Sequence, residues 1–394
     1  MGRIGAQIVP VAIVGGGPVG LFLAACLGQF GIECRVLEKR AGISGASRSI
    51  GIHGVSLGLF ARLDLSEALL ASGIRITRGV ALDEYGKLGE LNLEACLSDR
   101  AFVLIVPQNR TESILYSHVC QSYPGFLQGP TEVVGLRQMT NHVEILCRDS
   151  LSCSCIVRAR IVVACDGKRS VVRRSAGIAF VGGCYPDSFI MGDFADNTCF
   201  GPVAAIYLPS EGLIESFPLP GGNRRWVARL DEPVSIAEVP ATRAELEDVV
   251  RKRIGHELQD CDNYMMSRFR AERYLAATLL SDRIVLAGDA AHVISPIGGQ
   301  GLNLGWLGAW RLAEQISAIL HKRVDHREAF SVYDRQQRKA ARRAARRAEL
   351  NMKLGRKYQS VSIRNALVRV LLQAPVNRLT ARLFTMHGLY SWPV

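Results

Sequence analysis

The 394-residue sequence has no uninterrupted apolar stretch long enough to span a bilayer, which argues against an integral membrane protein. Its 11 cysteines include no C-x-x-C pair at zinc spacing, and the closest two are Cys153 and Cys155. We therefore expect reduced thiols rather than a disulfide framework or a zinc site. No Ser–His–Asp arrangement or metal-ligand cluster stands out, so neither nucleophilic hydrolysis nor metal catalysis is predicted.

The composition is that of an ordinary globular protein, with 48% hydrophobic and 21% charged residues. A chain of this length can form two domains, or one large core with an inserted second sheet. The apolar run near the N-terminus is interrupted at Gly15–Pro18 and belongs to a βαβ pattern, so no signal peptide is predicted. The expected location is the cytoplasm.

Acidic residues are scarce in the last part of the chain. Residues 331–394 contain 14 Lys and Arg but only Asp334 and Glu349, which accounts for the whole net charge of +12. Four of the basic residues recur at helical spacing: Arg335, Lys339, Arg342 and Arg346. We interpret this tail as a solvated helix that packs its alanines on the rest of the protein, or alternatively as an amphipathic attachment to anionic membrane. Nucleic-acid binding is not predicted, because no recognition motif accompanies the charge.

The segment Val11–Glu38 predicts a strand, a glycine turn, a buried helix and a second strand. Gly15, Gly17 and Gly20 form a G-x-G-x-x-G fingerprint. In this motif the first glycine makes the turn, the second lets the backbone approach a pyrophosphate, and the third lets the helix pack on the strand. Glu38 ends the second strand, where an acid accepts hydrogen bonds from a ribose diol. Its charge would repel a 2′-phosphate, so FAD or NAD is favoured over NADP. The competing interpretation is a glycine-rich turn in an unrelated fold.

Further apolar strands are predicted near residues 161 and 284. Like those near residues 11 and 34, each ends in glycine or an acid, which favours one parallel sheet with its ligand at the carboxyl ends of the strands. The predicted nucleotide-binding domain is discontinuous and comprises residues 1–74, 106–180 and 276–330. The remaining predicted parts are a β layer for the substrate at residues 75–105 and 181–275, and the basic helical segment at residues 331–394.

Two more stretches carry a distinctive pattern, Val162–Arg173 and Arg283–His292, the second followed by Gly298–Asn303. Together with the glycine fingerprint, and in order and spacing over residues 9–320, they resemble the three motifs of class A flavoprotein monooxygenases, the p-hydroxybenzoate hydroxylase family. Arg48–His53 is similar to the arginine loop of the aromatic polyketide hydroxylase-like branch, here without that branch's third domain.

This resemblance implies an α/β fold with a Rossmann-like FAD-binding domain, an inserted β-sheet substrate domain and a C-terminal helical tail. It implies bound FAD, with NADPH or NADH as a transient co-substrate. The residues it assigns to FAD are Gly15, Gly17, Pro18, Val19, Gly20, Glu38, Lys39, Arg48, Gln108, Asp166, Gly167, Gly288, Asp289, Gly301, Leu302 and Asn303. A carboxylate at Asp289 suits the ribityl hydroxyls, and a helix N-terminus at Gly301 suits negative charge on the flavin ring.

Candidate catalytic residues are His53, which could face the ring, and Pro296, which by resemblance borders the face that reacts with oxygen. For His292 we favour a packing role over proton transfer. Tyr207 and Arg229 on the inserted strands could line the substrate pocket, but scaffold roles are favoured for both.

The predicted function is an FAD-dependent monooxygenase that hydroxylates an aromatic or other electron-rich small molecule. In the family, NAD(P)H reduces the flavin, O₂ adds at C4a and the resulting hydroperoxide transfers an OH group. The alternatives are a flavin-dependent epoxidase or reductase of an isoprenoid, and a non-catalytic FAD-binding accessory protein. The sequence departs from the family at Gly308, where an acid is common, and the tryptophan motif of flavin-dependent halogenases is absent.

Overall fold

The computed structural model describes residues 7–43, 45, 49–96, 100–231, 240–261, 265–322, 324–357 and 361–389. Arg48 lies outside these residues. The strands are β1 (Ile8–Val14), β2 (Cys34–Glu38), β3 (Gly51–His53), β4 (Ile74–Ile76), β5 (Arg78–Asp83), β6 (Gly86–Asn92), β7 (Val103–Ile105), β8 (Leu127–Gln138), β9 (Val143–Asp149), β10 (Ser154–Ala164), β11 (Phe180–Ala195), β12 (Ala204–Tyr207), β13 (Ile214–Leu219), β14 (Asn223–Leu230), β15 (Met266–Ala276), β16 (Leu280–Ser281), β17 (Ile284–Leu286) and β18 (His292–Val293). The helices are α1 (Pro18–Gln29), α2 (Gly54–Ala61), α3 (Ser66–Leu70), α4 (Gln108–Ser122), α5 (Val171–Ser175), α6 (Arg243–Ile254), α7 (Gln300–Lys322), α8 (His326–Leu354), α9 (Val361–Leu372) and α10 (Val376–Phe384).

The first sheet has seven strands in the order β1-β2-β8-β9-β10-β17-β16, closed by an additional pairing of β1 with β10. The four strands predicted to be parallel are neighbours, in the spatial order β2-β1-β10-β17. Val11 pairs with both Cys34 and Ile161, which aligns the carboxyl ends of these strands. Helices α1 and α7 pack together beside them, and α1 is buried from Val19 to Leu27 because its sequence is apolar on all sides.

The second sheet has eight strands in the order β18-β15-β11-β14-β13-β12-β5-β6. All of its pairings are antiparallel except that of β12 with β5. Strands β3, β7 and β4 form a separate small sheet. One sheet therefore carries the nucleotide fingerprint, and the other is built mainly from the inserted segments, with β18 added at its edge. Together with the helices, these sheets confirm the predicted α/β fold class.

Helix α8 packs against α7 along the tail. Its buried side is formed mainly by alanines, among them Ala340, Ala341, Ala344, Ala345 and Ala348. Two arginines on this helix hydrogen-bond to backbone carbonyls near the end of the described chain, Arg343 to Leu389 and Arg347 to His387. Within the described residues, no helix is both long and apolar enough to cross a membrane.

Candidate FAD and substrate site

A cavity of about 970 Å³ connects the carboxyl ends of the parallel strands with one face of the eight-stranded sheet. Its lining on the nucleotide side includes most of the residues that the sequence assigns to FAD and both catalytic candidates: Gly15, Gly17, Pro18, Val19, Glu38, Lys39, His53, Gln108, Asp166, Gly167, Gly288, Asp289, Pro296, Gly301 and Leu302. Gly20 and Asn303 do not line this cavity. The fold thus brings together residues that are almost 290 positions apart in the chain.

The turn between β1 and α1 leaves the backbone open toward the cavity. Gly15 has φ +102°, and a Cβ there would collide with the Cys165 carbonyl, so only glycine fits. A Cβ on Gly17 would meet nothing within 4 Å, which leaves room for a bulky anion beside the backbone. Gly20 lies behind the turn, where a Cβ would collide with the carbonyl oxygen of Gly15. These three functions of the glycines are those that a pyrophosphate-binding turn requires.

The Glu38 carboxylate is fixed at the end of β2. It accepts hydrogen bonds from the Gly16 N–H at 2.7 Å and from Arg40 Nε at 3.0 Å. Burial alone would raise the pKa of Glu38, but these hydrogen bonds outweigh it and hold the pKa below its usual value. The group therefore stays ionised at neutral pH and can accept hydrogen bonds from a ribose diol.

Gln108 links this end of the cavity to the loop that precedes β3. Its Nε2 donates to the buried Glu112 at 2.8 Å, and its Oε1 accepts from the Ser49 N–H at 3.3 Å. Arg40 lies 3.9 Å from the other Glu112 oxygen, so the same acid connects Gln108 to the Arg40–Glu38 pair. Gln108 thus connects Ser49, Glu112 and the Arg40–Glu38 pair.

Asp289 follows β17 in a turn that begins at Gly288, where φ is +58°. Its side chain is deep in the protein but exposed to the cavity, and within the described part of the chain no residue donates a hydrogen bond to it. Burial raises the pKa of Asp289 to about 6, with a small opposing effect of Lys168. An unpartnered carboxyl group of this kind matches a ligand rich in hydroxyl groups.

The turn Pro296–Gly299 directs the first N–H groups of α7 at the cavity. Gly298 and Gly299 both have positive φ, +91° and +64°, which side chains rarely allow. The N–H groups of Gly301 and Leu302 fall in the first helical turn and have no acceptor within the helix. Together with the positive end of the helix dipole, they favour negative charge in the adjoining space.

Asn303 holds the candidate catalytic segment in place from behind the cavity. Its Oδ1 accepts from the His53 N–H at 2.9 Å, and its Nδ2 donates to the Gly51 and Gly299 carbonyls, also at 2.9 Å. The side-chain amide is therefore occupied by the protein itself. Burial lowers the pKa of His53 to about 4, so its imidazole is neutral at pH 7.

Asp166 performs a similar structural role at the end of β10. Its Oδ2 accepts from the Val171 N–H at 2.7 Å and the Val172 N–H at 3.2 Å, which fixes the start of α5. Its Oδ1 is buried and has no hydrogen-bond partner among the described residues. Asp166 and the adjoining Gly167, which has φ +76°, both line the cavity.

His292, Tyr207 and Arg229 do not line this cavity. His292 is 1% exposed and its Nε2 lies 2.9 Å from the amide nitrogen of Gln337. The Tyr207 ring stacks on Trp226 at 6.1 Å on the other side of the sheet, and Arg229 pairs with Asp187. These contacts agree with the scaffold roles favoured from the sequence.

The substrate side of the cavity includes residues that the sequence analysis missed. On β12–β14 they are Ile206, Glu215, Phe217, Arg225 and Val227. The tail contributes Asn351, Leu354, Val368, Leu371, Leu372, Thr380 and Phe384. An acid inside the mainly apolar strand β13 was the one local signal that could have drawn attention to Glu215. Nothing local in the tail indicates that its helices close a cavity.

Arg225 lines the substrate side of the cavity, and its charge is compensated by Asp193. Its Nε and Nη2 bind both carboxylate oxygens of Asp193, at 2.7 and 2.8 Å. The arginine side chain is 2% exposed and the aspartate side chain 12%. A bidentate pair of this geometry is among the stronger ion pairs, and it leaves Glu215 as a carboxyl without such a partner on the same strands.

Comparison with known protein families assigns the chain to a family. The model of a family described as an FAD binding domain matches residues 8–348, which is most of the chain. The protein belongs to the class A flavoprotein monooxygenase family. Among the described residues, no cluster of His, Cys, Asp or Glu could hold a metal ion.

Individual relatives agree with this assignment. The chain is 32% identical over 316 residues to rifampicin monooxygenase from Streptomyces venezuelae, an alignment that covers 78% of this chain and 64% of that protein. It is 30% identical over 322 residues to a 3-(3-hydroxy-phenyl)propionate/3-hydroxycinnamic acid hydroxylase from Burkholderia vietnamiensis, covering 80% of this chain and 58% of that protein. The chain thus spans about three fifths of the length of these relatives.

The fold agrees with that of p-nitrophenol 4-monooxygenase PnpA from Pseudomonas putida, with a TM-score of 0.86 and 24% sequence identity. The superposition covers 96% of this chain and 97% of that one, and therefore includes the tail helices. At this level of identity, the likeness establishes the shared fold.

Proposed function

We propose that this protein is an FAD-dependent monooxygenase that uses NADPH or NADH and O₂ to hydroxylate an aromatic small molecule. The observation that carries the proposal is the continuity of the cavity, in which the FAD-motif residues open directly onto the mainly apolar face of the second sheet. Bound FAD supplies the redox and oxygen chemistry in such an enzyme. The protein supplies binding, orientation, charge stabilisation and exclusion of water.

The residues on the nucleotide side have complementary tasks in this proposal. The open turn at Gly17 and the ionised Glu38 hold the ADP half, with Gln108 beside them. Arg48 is assigned to the ribose–phosphate region by the family resemblance, and Asp289 accepts hydrogen bonds from the ribityl chain. The remaining assigned residues, Pro18, Val19, Lys39, Gly167, Gly288 and Leu302, line the same region. The N-terminus of α7 stabilises negative charge on the ring.

His53 and Pro296 border the proposed ring position. Because His53 is neutral at pH 7, it can exchange a hydrogen bond with a ligand without bringing a charge. Pro296 contributes shape and its carbonyl, which already accepts from the Gly299 N–H at 2.8 Å. We propose that these two residues shape the reacting space and that neither is an obligatory base.

The names of two similar proteins support an aromatic substrate, since both name compounds with a hydroxylated ring. The tail supports it structurally, because Leu371, Leu372 and Phe384 add apolar surface to the substrate side. Apolar side chains of this kind disfavour water at the reacting centre, which suits oxygen transfer.

The first test is the absorbance spectrum of the purified protein, followed by a screen of aromatic ligands for stimulated NAD(P)H oxidation. The proposal predicts bound, non-covalent FAD and ligand-dependent NADPH or NADH oxidation with O₂ consumption. A protein that neither contains nor takes up FAD contradicts the whole proposal. FAD binding without any stimulated oxidation favours the accessory-protein alternative, and anaerobic reduction of an isoprenoid double bond favours the reductase.

We also propose that the tail touches an anionic membrane through α9 and α10. Their outer side exposes apolar residues beside arginines, including Ile363 at 72% and Leu379 at 60% exposure. No acid follows Glu349 in the sequence, so this surface suits an anionic partner rather than a second copy of itself. We expect the protein to sediment with anionic liposomes at low salt, but not with neutral liposomes or at high salt. If the protein stays in the supernatant under all these conditions, the proposed membrane contact is contradicted.

A further inference from the structure

Glu215 is the second residue of β13 and lies on the sheet face that lines the cavity. Its partners across the neighbouring strands are Ile206 on β12 and Val227 on β14. Leu213, which immediately precedes β13, and Phe217 on β13 are two residues away on either side and also line the cavity. The side chain is only 9% exposed, so an ionisable group is embedded in an apolar wall and has its remaining access through the cavity.

No described residue donates a hydrogen bond to the Glu215 carboxyl, and burial is the sole cause that raises its pKa, to about 7. Five charged groups on the surrounding strands and on α9 already have partners, while Arg369 of α9 is exposed to solvent. The five are Arg225 with Asp193, Arg229 with Asp187, Arg270 with the Tyr185 carbonyl, Arg364 with the Leu208 and Pro209 carbonyls, and Asp83 with Asn365. Glu215 therefore stands apart from the ion pairs of the sheet.

A buried carboxyl group without a partner destabilises the fold, so its presence in a cavity indicates a ligand that satisfies it. The missing interaction is a hydrogen-bond donor. An aromatic hydroxyl brings one donor, whereas an ammonium group brings three, and the apolar side chains next to Glu215 offer no acceptor for the other two. The chemistry of this wall thus favours a hydroxyl over an amine.

We propose that Glu215 selects and positions aromatic substrates that carry a hydroxyl group, whose O–H donates to the Glu215 carboxylate. This inference rests on the proposed function, since it concerns the same cavity. When the proton is transferred along this hydrogen bond, the substrate O–H bond breaks and an O–H bond forms on Glu215. The electron pair stays on the ring oxygen, which makes the ring more electron-rich and consumes no oxidant.

The test compares 1-naphthol with 1-methoxynaphthalene, its methyl ether, which has the same ring but no donor. The dissociation constant of each is measured on the FAD-loaded protein from the change in flavin absorbance. The variant is Glu215→Gln, which keeps the shape of the side chain and removes its charge. The matched control is Glu211→Gln, the same change four residues earlier on an exposed side chain.

At pH 8 the wild type and Glu211→Gln are expected to bind 1-naphthol about tenfold more tightly than the ether. Glu215→Gln should lose most of this preference by weakening naphthol binding alone. The wild-type preference should also shrink below pH 6, where Glu215 is protonated, and this pH dependence should be absent in Glu215→Gln. If Glu215 had a merely structural role, Glu215→Gln would change neither the ratio of the two dissociation constants nor its pH profile.

Equal binding of the two ligands by the wild type, or an unchanged preference in Glu215→Gln, overturns the inference. Oxygen transfer is measured separately and does not enter this comparison. Discrimination by Glu215 without any oxygenation would therefore contradict the proposed function alone, and oxygenation with no effect of Glu215 would contradict this inference alone.

Discussion

Gln337 of the tail helix α8 occupies the space that a side chain at position 308 of α7 would need. A Cβ built on Gly308 would lie 2.5 Å from Gln337 Nε2. The same amide nitrogen lies 2.9 Å from His292 Nε2 and donates to the Leu304 carbonyl at 3.1 Å. The departure from the family at Gly308 is thus matched by a buried amide that connects α7, α8 and the turn after Asp289.

We expect Gly308→Ala to lower the free energy of unfolding by about 1–3 kcal/mol, since the added methyl group overpacks a closed interface. The cost should be smaller when Gln337 is already replaced by Ala, because the colliding amide is then gone. Urea denaturation of the wild type, both single variants and the double variant measures this coupling. Purely additive effects would show that the two positions do not compete for space.

Asp289→Ala is expected to weaken FAD binding by about 1.5–3 kcal/mol, the worth of a hydrogen bond to a charged group. This corresponds to roughly 10- to 150-fold in Kd, and fluorescence titration of the apoprotein with FAD measures it. Asp289→Asn keeps an acceptor of the same shape, so its FAD affinity should lie between those of the wild type and Asp289→Ala. The exposed Glu84→Ala serves as control, and equal FAD affinity in all four proteins would remove Asp289 from the site.

Glu215 should also make the stability of the protein depend on pH. Its pKa is raised by burial from 4.5 to about 7, so the folded state keeps a proton that the unfolded state loses. Between these values the wild type should lose stability as pH rises, by on the order of 3 kcal/mol in total, relative to Glu215→Gln. Denaturation at pH 4, 6 and 8 tests this sign, and a difference between the two proteins that does not vary with pH contradicts the burial of an unpaired acid.

Asp193→Asn is expected to destabilise the fold by about 3–5 kcal/mol, because it removes the carboxylate that both Nε and Nη2 of the buried Arg225 bind. Asp248→Asn is the matched control, since it breaks the exposed contacts to Arg251 and Lys252 on α6 and should change stability very little. Thermal unfolding of both variants compares them directly. Similar effects of the two substitutions would mean that the Arg225–Asp193 pair is open to solvent.

The nucleotide half was predictable from the sequence because its determinants are local. The fingerprint Gly15–Gly20 and the strand ends near Asp166 and Asp289 each combine an apolar run with a residue type that the chemistry demands. Parallel pairing then requires these strand ends to meet at one edge.

The substrate half was not predictable in the same way. Which face of β13 meets the cavity depends on its register with β12 and β14, so Glu215 could not be assigned a side before the pairing was known. The basic tail drew attention by its charge, yet its contribution to the site comes from Leu371, Leu372 and Phe384 between the charges. Such contacts depend on tertiary packing that leaves no local pattern.

The central claim is oxygen transfer to an aromatic ligand, and oxygen-18 gas tests it most directly. The FAD-loaded protein is incubated with NADPH, labelled O₂ and a ligand that stimulates NADPH oxidation, and the product is analysed by mass spectrometry. Our account predicts one labelled oxygen atom per product molecule and none from labelled water. The account would be contradicted if every ligand tested remained unchanged and all the consumed O₂ were recovered as hydrogen peroxide.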